Sequence, residues 1–86
     1  MLTINVKIRA LGVFKELFGN KLLTIKLKKN STVKSVVQIL AGSEVNDVWS
    51  NAIILVNGKE ISVLDGLETI VSDGNEIVLL PVSHGG

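Results

Sequence analysis

Cysteine is absent from the chain, so disulfide frameworks, thiolate metal sites and a cysteine nucleophile are all excluded. Histidine occurs once, at His84. No histidine pair exists to hold zinc, and a lone histidine in a chain end has no fixed partner for general-base work. Phe14, Phe18 and Trp49 are the only aromatic residues. Apolar runs stop at four or five residues, far short of the ~18 needed to span a bilayer. Met1 leads into alternation rather than a basic segment and an apolar signal core, so the expectation is a cytoplasmic protein with no membrane contact. Neither sign of charge dominates: nine Lys and Arg stand against eight Asp and Glu, a net charge of +1. That balance argues against a dedicated nucleic-acid binder. The cluster Lys26, Lys28 and Lys29 reads as the solvated face and end of an edge strand. Asp73 and Glu76 read as a turn and a strand start, and neither a P-loop nor a dinucleotide-binding glycine turn occurs. Autonomous catalysis is not expected.

What is present is aliphatic. Of 86 residues, 47% are hydrophobic, nearly all Val, Ile and Leu, enough for the core of one small domain. Leu2, Ile4, Val6 and Ile8 alternate with polar residues, the period of a half-buried strand. Leu11, Phe14, Leu17 and Phe18 change that period before Gly19-Asn20, which predicts a short helical turn or a wide hairpin connection. Leu23, Ile25 and Leu27 alternate again, a second strand antiparallel to the first. Asn30-Ser31-Thr32 supplies N-cap candidates. Val33, Val36, Val37 and Leu40 then form one apolar helical stripe ending near Ala41-Gly42. The spacing overrides the β-propensity of the valines.

Residues 42–51 read as a polar connection, with Trp49 packed over a core edge. The continuous run Ala52 to Val56 predicts a central strand buried on both faces. Asn57-Gly58 is a tight-turn signal leading to a short strand around Glu60 to Val63. Asp65-Gly66 turns the chain again, with Leu67 and Ile70 as anchors. Asp73-Gly74 introduces a last strand, Glu76 to Val82, in which Pro81 cannot donate to a ladder. Strand, strand, helix and three further strands, with first and last adjacent and parallel at the centre, give an α+β fold. It is the β-grasp (ubiquitin-like) roll, a mixed four- to five-stranded sheet with one main helix. The expected division is residues 1–82 as the domain and residues 83–86 as a flexible tail.

That tail ends Ser83-His84-Gly85-Gly86. Glycine has no Cβ, so a Gly-Gly end enters a narrow tunnel where a side chain would clash. Val82 to Gly86 reaches about 17 Å at 3.3–3.6 Å per residue. The geometry suits a chain whose terminal carboxylate is itself the reacting group.

Three segments, in order, resemble the small subunit of molybdopterin synthase. Val6-Lys7-Ile8-Arg9 leading into Phe14-Lys15-Glu16-Leu17-Phe18-Gly19 is similar to that family's first strand and following turn. Asp73-Gly74-Asn75-Glu76-Ile77 is similar to the segment before its last strand, and Leu80-Pro81-Val82-Ser83-His84-Gly85-Gly86 to its end. The ThiS-like thiamine sulfur carrier, the Urm1-type modifiers and the archaeal small modifier proteins share this fold and ending. The chain departs from the synthase subunit in having one proline where two are usual. His84-Gly85-Gly86 is similar to the end of the Urm1-type modifiers.

The resemblance implies a sulfur carrier. An E1-like adenylyltransferase would use ATP to activate the Gly86 carboxyl, and a sulfur donor enzyme would convert the acyl-adenylate to a thiocarboxylate. The sulfur would go to the large subunit of molybdopterin synthase. Attack by lysines of target proteins would instead make the chain a modifier, with a role in tRNA thiolation as a further outlet. Gly85 and His84 would be read in the partner's tunnel. Docking would use the sheet face away from the helix, with Leu11, Ile61 and Leu80 near the contact. No metal or bound cofactor is implied for the chain itself. The missing cysteine fits both outcomes, since the activated sulfur sits on the main chain.

Overall fold

In the computed structural model, which describes residues 2–42 and 47–82, the alternation at the start becomes strand β1, Thr3–Ala10. Ile4, Val6, Ile8 and Ala10 are buried on one face, while Thr3, Asn5 and Lys7 are exposed on the other. The change of period after Leu11 is a helix of six residues, α1, Val13–Phe18. It stops at Gly19 in the left-handed conformation, whose N–H donates to the Glu16 carbonyl. Strand β2, Leu22–Lys28, pairs antiparallel with β1, from Thr3 opposite Lys28 to Arg9 opposite Leu22.

Helix α2, Val33–Ala41, begins at Thr32, whose side chain accepts from the Ser35 N–H at 3.4 Å and satisfies one orphan donor of the first turn. Val33 and Val36 are fully buried, and Val37 and Leu40 pack against the same core, so the stripe expected from the sequence is realised. The segment after it differs from expectation. Instead of a purely polar connection it holds a helical turn, α3, Asp47–Ser50. The cause is Trp49. Its ring lies 5.0 Å from that of Phe14 in an edge-on arrangement and 6.1 Å from that of Phe18, within the range of favourable aromatic contact.

Strand β3, Ala52–Val56, buries Ile54 and Val56 but leaves Ile53 and Leu55 half-buried; the apolar run is not buried on both faces. Nor is it central. Asn57 and Gly58, both with positive φ, make the expected tight turn into β4, Lys59–Glu60, of only two residues. The strand expected to reach Val63 stops there, because Ile61–Val63 is a 3-10 turn. The Leu64 N–H bonds back to the Ile61 carbonyl, and Ile61 turns in against the core.

A second 3-10 turn, Gly66–Glu68, leads to the segment where Leu67 and Ile70 were expected as anchors. Both are exposed, Ile70 at 59%. The anchors are instead Thr69 and Val71, which point inward on either side of Ile70. Their strand-like backbone grips the start of α2: Val33 N–H donates to the Thr69 carbonyl and Val71 N–H to the Ser31 carbonyl, each at 2.9 Å.

Strand β5, Glu76–Pro81, completes a five-stranded sheet in the order β2-β1-β5-β3-β4. β5 runs parallel to β1 and antiparallel to β3, as the sequence predicts for first and last strands. Two turns fix its register. The Asp73 carboxylate accepts from the Asn5 N–H at 2.7 Å, and the Asn57 side-chain carbonyl accepts from the Glu76 N–H at 2.7 Å. The core cluster runs from Ile4, Val6 and Ile8 through Phe14, Val33 and Val36 to Ile77 and Leu79. Each such side chain contributes about 1.5–3 kcal/mol on full burial. This is the β-grasp arrangement, with α2 across one face of a mixed sheet.

Candidate docking face and carboxyl-terminal segment

The core takes all its sheet residues from one face, so the side chains alternating with them form a second, open face. Strand pairing arranges these in rows. One row runs Leu22, Arg9, Val78, Leu55, Glu60 across all five strands. The next, on one side, is Thr24, Lys7, Glu76; the row on the other side holds Leu80 opposite Ile53. The Leu11 N–H donates to the Leu79 carbonyl at 3.0 Å, which carries the β1–β5 ladder one step further and brings Leu11 beside Leu80.

This open face is divided. On β5 and β3 it is aliphatic: Ile53, Leu55, Val78 and Leu80, each half-buried, together with Leu11. On β1 and β2 it is cationic, with Lys7, Arg9, Lys26 and Lys28 among Thr3, Asn5, Thr24 and the exposed Leu22. Arg9 stands at the boundary, its guanidinium 3.4 Å from the Glu76 carboxylate, both side chains well exposed. Lys7, Arg9, Leu22, Leu23, Thr24 and Glu76 line an open cleft of about 300 Å³ there.

The end of β5 is held on both sides. The Val82 N–H donates to the Asn51 carbonyl at 3.1 Å. The Pro81 ring sits so close to Gly12 that a Cβ on Gly12 would lie 2.9 Å from Pro81 Cγ. Gly12 also has φ +57, a conformation side chains disfavour. The sequence reading passed over Gly12; a glycine one residue before a helix was the available signal.

The residues singled out from sequence are distributed unevenly. Leu11 and Leu80 come together on the aliphatic half of the open face. Ile61 does not join them, since its side chain packs against the core cluster. His84, Gly85 and Gly86 lie outside the described residues. Ile53, Leu55 and Val78 were missed because a continuous apolar run hides which alternate positions face outward. Among the described residues, no group of three or more His, Cys, Asp or Glu is placed to hold a metal ion, and no helix is long and apolar enough to cross a membrane.

The sequence profile of one family matches residues 8–86, nearly the whole of this architecture. The chain belongs to the ThiS family. Among curated proteins it is similar to small archaeal modifier protein 3 of Haloferax volcanii, 29% identical over 90 residues, which cover 94% of this chain and 98% of that protein. Among solved structures it is similar to the HVO 2177 protein of Haloferax volcanii, with a TM-score of 0.79 at 29% identity, over 96% of this chain and 88% of the other. Small archaeal modifier protein 1 of Methanosarcina acetivorans matches over 100% of both chains, at 26% identity and a TM-score of 0.78. The resemblance read from three sequence segments thus holds at the level of a ubiquitin-like family of sulfur carriers and small archaeal modifiers.

Proposed function

We propose that this ThiS-family chain works through its terminal carboxylate, with Gly86 as the reacting residue. In the first step an E1-like enzyme binds ATP, and the Gly86 carboxylate attacks its α-phosphate, releasing pyrophosphate and leaving an acyl-adenylate. A carboxylate is otherwise a poor acyl donor; with AMP as leaving group it becomes a good one. Sulfide-level sulfur (hydrosulfide) delivered by a donor enzyme then attacks the acyl carbon and AMP leaves, giving a thiocarboxylate. Alternatively, a target lysine amine attacks the same carbon, loses a proton and expels AMP to give an isopeptide. The observation that carries this reading is the family match over residues 8–86, which includes the Gly85-Gly86 ending. Gly85 and His84 serve as the partner's recognition contacts. ATP is the activating enzyme's substrate and is not held by this chain.

The aliphatic half of the open face, with Leu11 and Leu80, is the surface we assign to partner docking, since β5 leads from it directly into the terminal segment. Ile61 has no part in it. Of the two destinations, conjugation to lysines is favoured by the whole-length likeness to small archaeal modifier protein 3. Sulfur donation to the large subunit of molybdopterin synthase is the second reading, supported by the three ordered segments around Phe14, Asp73 and Leu80. Intact-mass spectrometry of the chain purified from its native host tests both. A species heavier by the difference between sulfur and oxygen marks the thiocarboxylate, and branched Gly-Gly remnants on lysines of other proteins mark conjugation. Finding neither under any growth condition would overturn the proposal.

A further inference from the structure

The chain is nearly neutral, yet its charges are not evenly spread. On β1 and β2 the open face carries Lys7, Arg9, Lys26 and Lys28, all in cross-strand rows fixed by the pairing of Thr24 with Lys7 and Lys26 with Asn5. Of the acids of the described residues, Glu16 lies on α1, Asp47 on α3, Glu60 at the far edge, and Asp65 and Glu68 beside the 3-10 turns. Asp73, bonded to the Asn5 N–H opposite Lys26, and Glu76 border the cations, and Glu76 holds Arg9 through a single contact of 3.4 Å between exposed groups. Such a pair is weak, so Arg9 is free to exchange one carboxylate for another.

We propose that this cationic half-face is a second docking surface, specific for an acidic protein surface, with a partner carboxylate entering the cleft between Lys7, Arg9 and Thr24 and taking Arg9 from Glu76. The inference rests on the docking reading above and deepens it: the aliphatic half supplies contact area, and the cationic half selects among partners by charge. Charge complementarity decides the chemistry of the occupant. Four cations in ordered rows answer a row of carboxylates. An RNA strand is the poorer fit, because the face offers no stacking platform; Phe14, Phe18 and Trp49 stack on one another. Arg9 also lies directly opposite Val78, with Leu55 one strand beyond, as a polar rim adjoins the apolar centre of a protein interface.

Two measurements on the full chain test this. In the first, the isotopically labelled protein is titrated with hexaglutamate, with hexauridylate and with inorganic phosphate while backbone amide shifts are followed. Hexaglutamate is expected to move the amides of Lys7, Arg9, Leu22, Thr24 and Lys26, saturably, with the effect lost near 1 M salt, where the Debye length is about 3 Å. Shifts spread equally over Lys15, Lys34 and Lys59 would overturn the proposal. So would tighter binding of hexauridylate to the same strip, or of phosphate alone, which would make it an RNA or a free-anion site. This arm does not depend on tail chemistry, so it stands or falls separately from the reading of Gly86.

The second arm uses the activating enzyme from the same organism. The Lys7→Glu/Arg9→Glu variant should raise its KM for this chain about ten-fold or more, the scale of lost electrostatic steering, and flatten the salt dependence. Turnover should stay within about two-fold, since only uniform binding is removed. An unchanged KM would overturn the proposal. Lys7→Gln/Arg9→Gln, with native amide dispersion as the control for folding, should lie between wild type and the reversed variant.

Discussion

Gly12 and Pro81 form a contact that only one residue type at position 12 permits. The backbone of Gly12 has φ +57 and ψ −131, and of the glycines among the described residues it alone has a side chain within reach of an added Cβ. Two costs should therefore appear in Gly12→Ala. One is conformational strain of about 1–3 kcal/mol, and the other is displacement of the proline ring. Gly19 offers the control, since it has φ +67 but open space around it. In thermal melts Gly19→Ala should pay strain alone, and its loss should add to that of Pro81→Ala. Gly12→Ala should lose more, and part of that loss should vanish in the Pro81→Ala background, where the ring is gone. A coupling energy of about 0.5 kcal/mol or more separates contact from independence; strict additivity of Gly12→Ala and Pro81→Ala would remove the contact from the account. Leu11 and Ile61 show the limits of residue-level reading. Both are aliphatic and half-buried, but Leu11 continues a ladder onto the open face while Ile61 turns in to the core, a difference set by backbone direction that spacing does not encode.

Elements with an uninterrupted period were legible in the sequence, and those made by distant contacts were not. β1, β2 and α2 follow from spacing alone, and Asn57-Gly58 from the need for positive φ at two successive positions. α3 and the two-residue β4 depend on what lies across the fold: Trp49 turns its four-residue segment toward Phe14, and Ile61 ends pairing after Glu60. Two measurements test these elements. Trp49→Ala removes one member of the aromatic group and should cost about 3–5 kcal/mol, a large share of the roughly 4–13 kcal/mol total for a chain of this length. Trp49→Phe, which keeps most of the contact, should cost much less in denaturant melts. Equal, small losses from both would mean that Trp49 is not a core anchor. Thr32→Ala tests the start of α2. Loss of the cap should cost about 1 kcal/mol, a fall of about 4–8 °C in melting temperature, while Thr32→Ser, which keeps the acceptor oxygen, should stay near wild type.

At the scale of the whole molecule, stability and function are expected to occupy different parts of the chain. Every residue of the core cluster lies between Ile4 and Leu79, and among the described residues the last fixing contact is the Val82 N–H on Asn51. The proposed chemistry lies beyond both, at Gly86. Deleting Gly85-Gly86, or adding one residue after Gly86, should therefore leave stability within about 0.5 kcal/mol, the usual range for changes away from the core. The same changes should abolish ATP-dependent pyrophosphate release by the cognate activating enzyme, because the attacking carboxylate is removed or displaced from its phosphate. Gly85→Ala should be milder yet harmful, since a Cβ must then pass the partner's tunnel. His84→Ala should retain activation within a few-fold, if its imidazole gives recognition and not chemistry. Melts and pyrophosphate release measured on the same preparations separate the two roles. A truncated chain that still supports adenylation at the normal rate would end the carboxylate mechanism. A truncated chain that melts far below wild type would instead place the terminal residues within the folded structure.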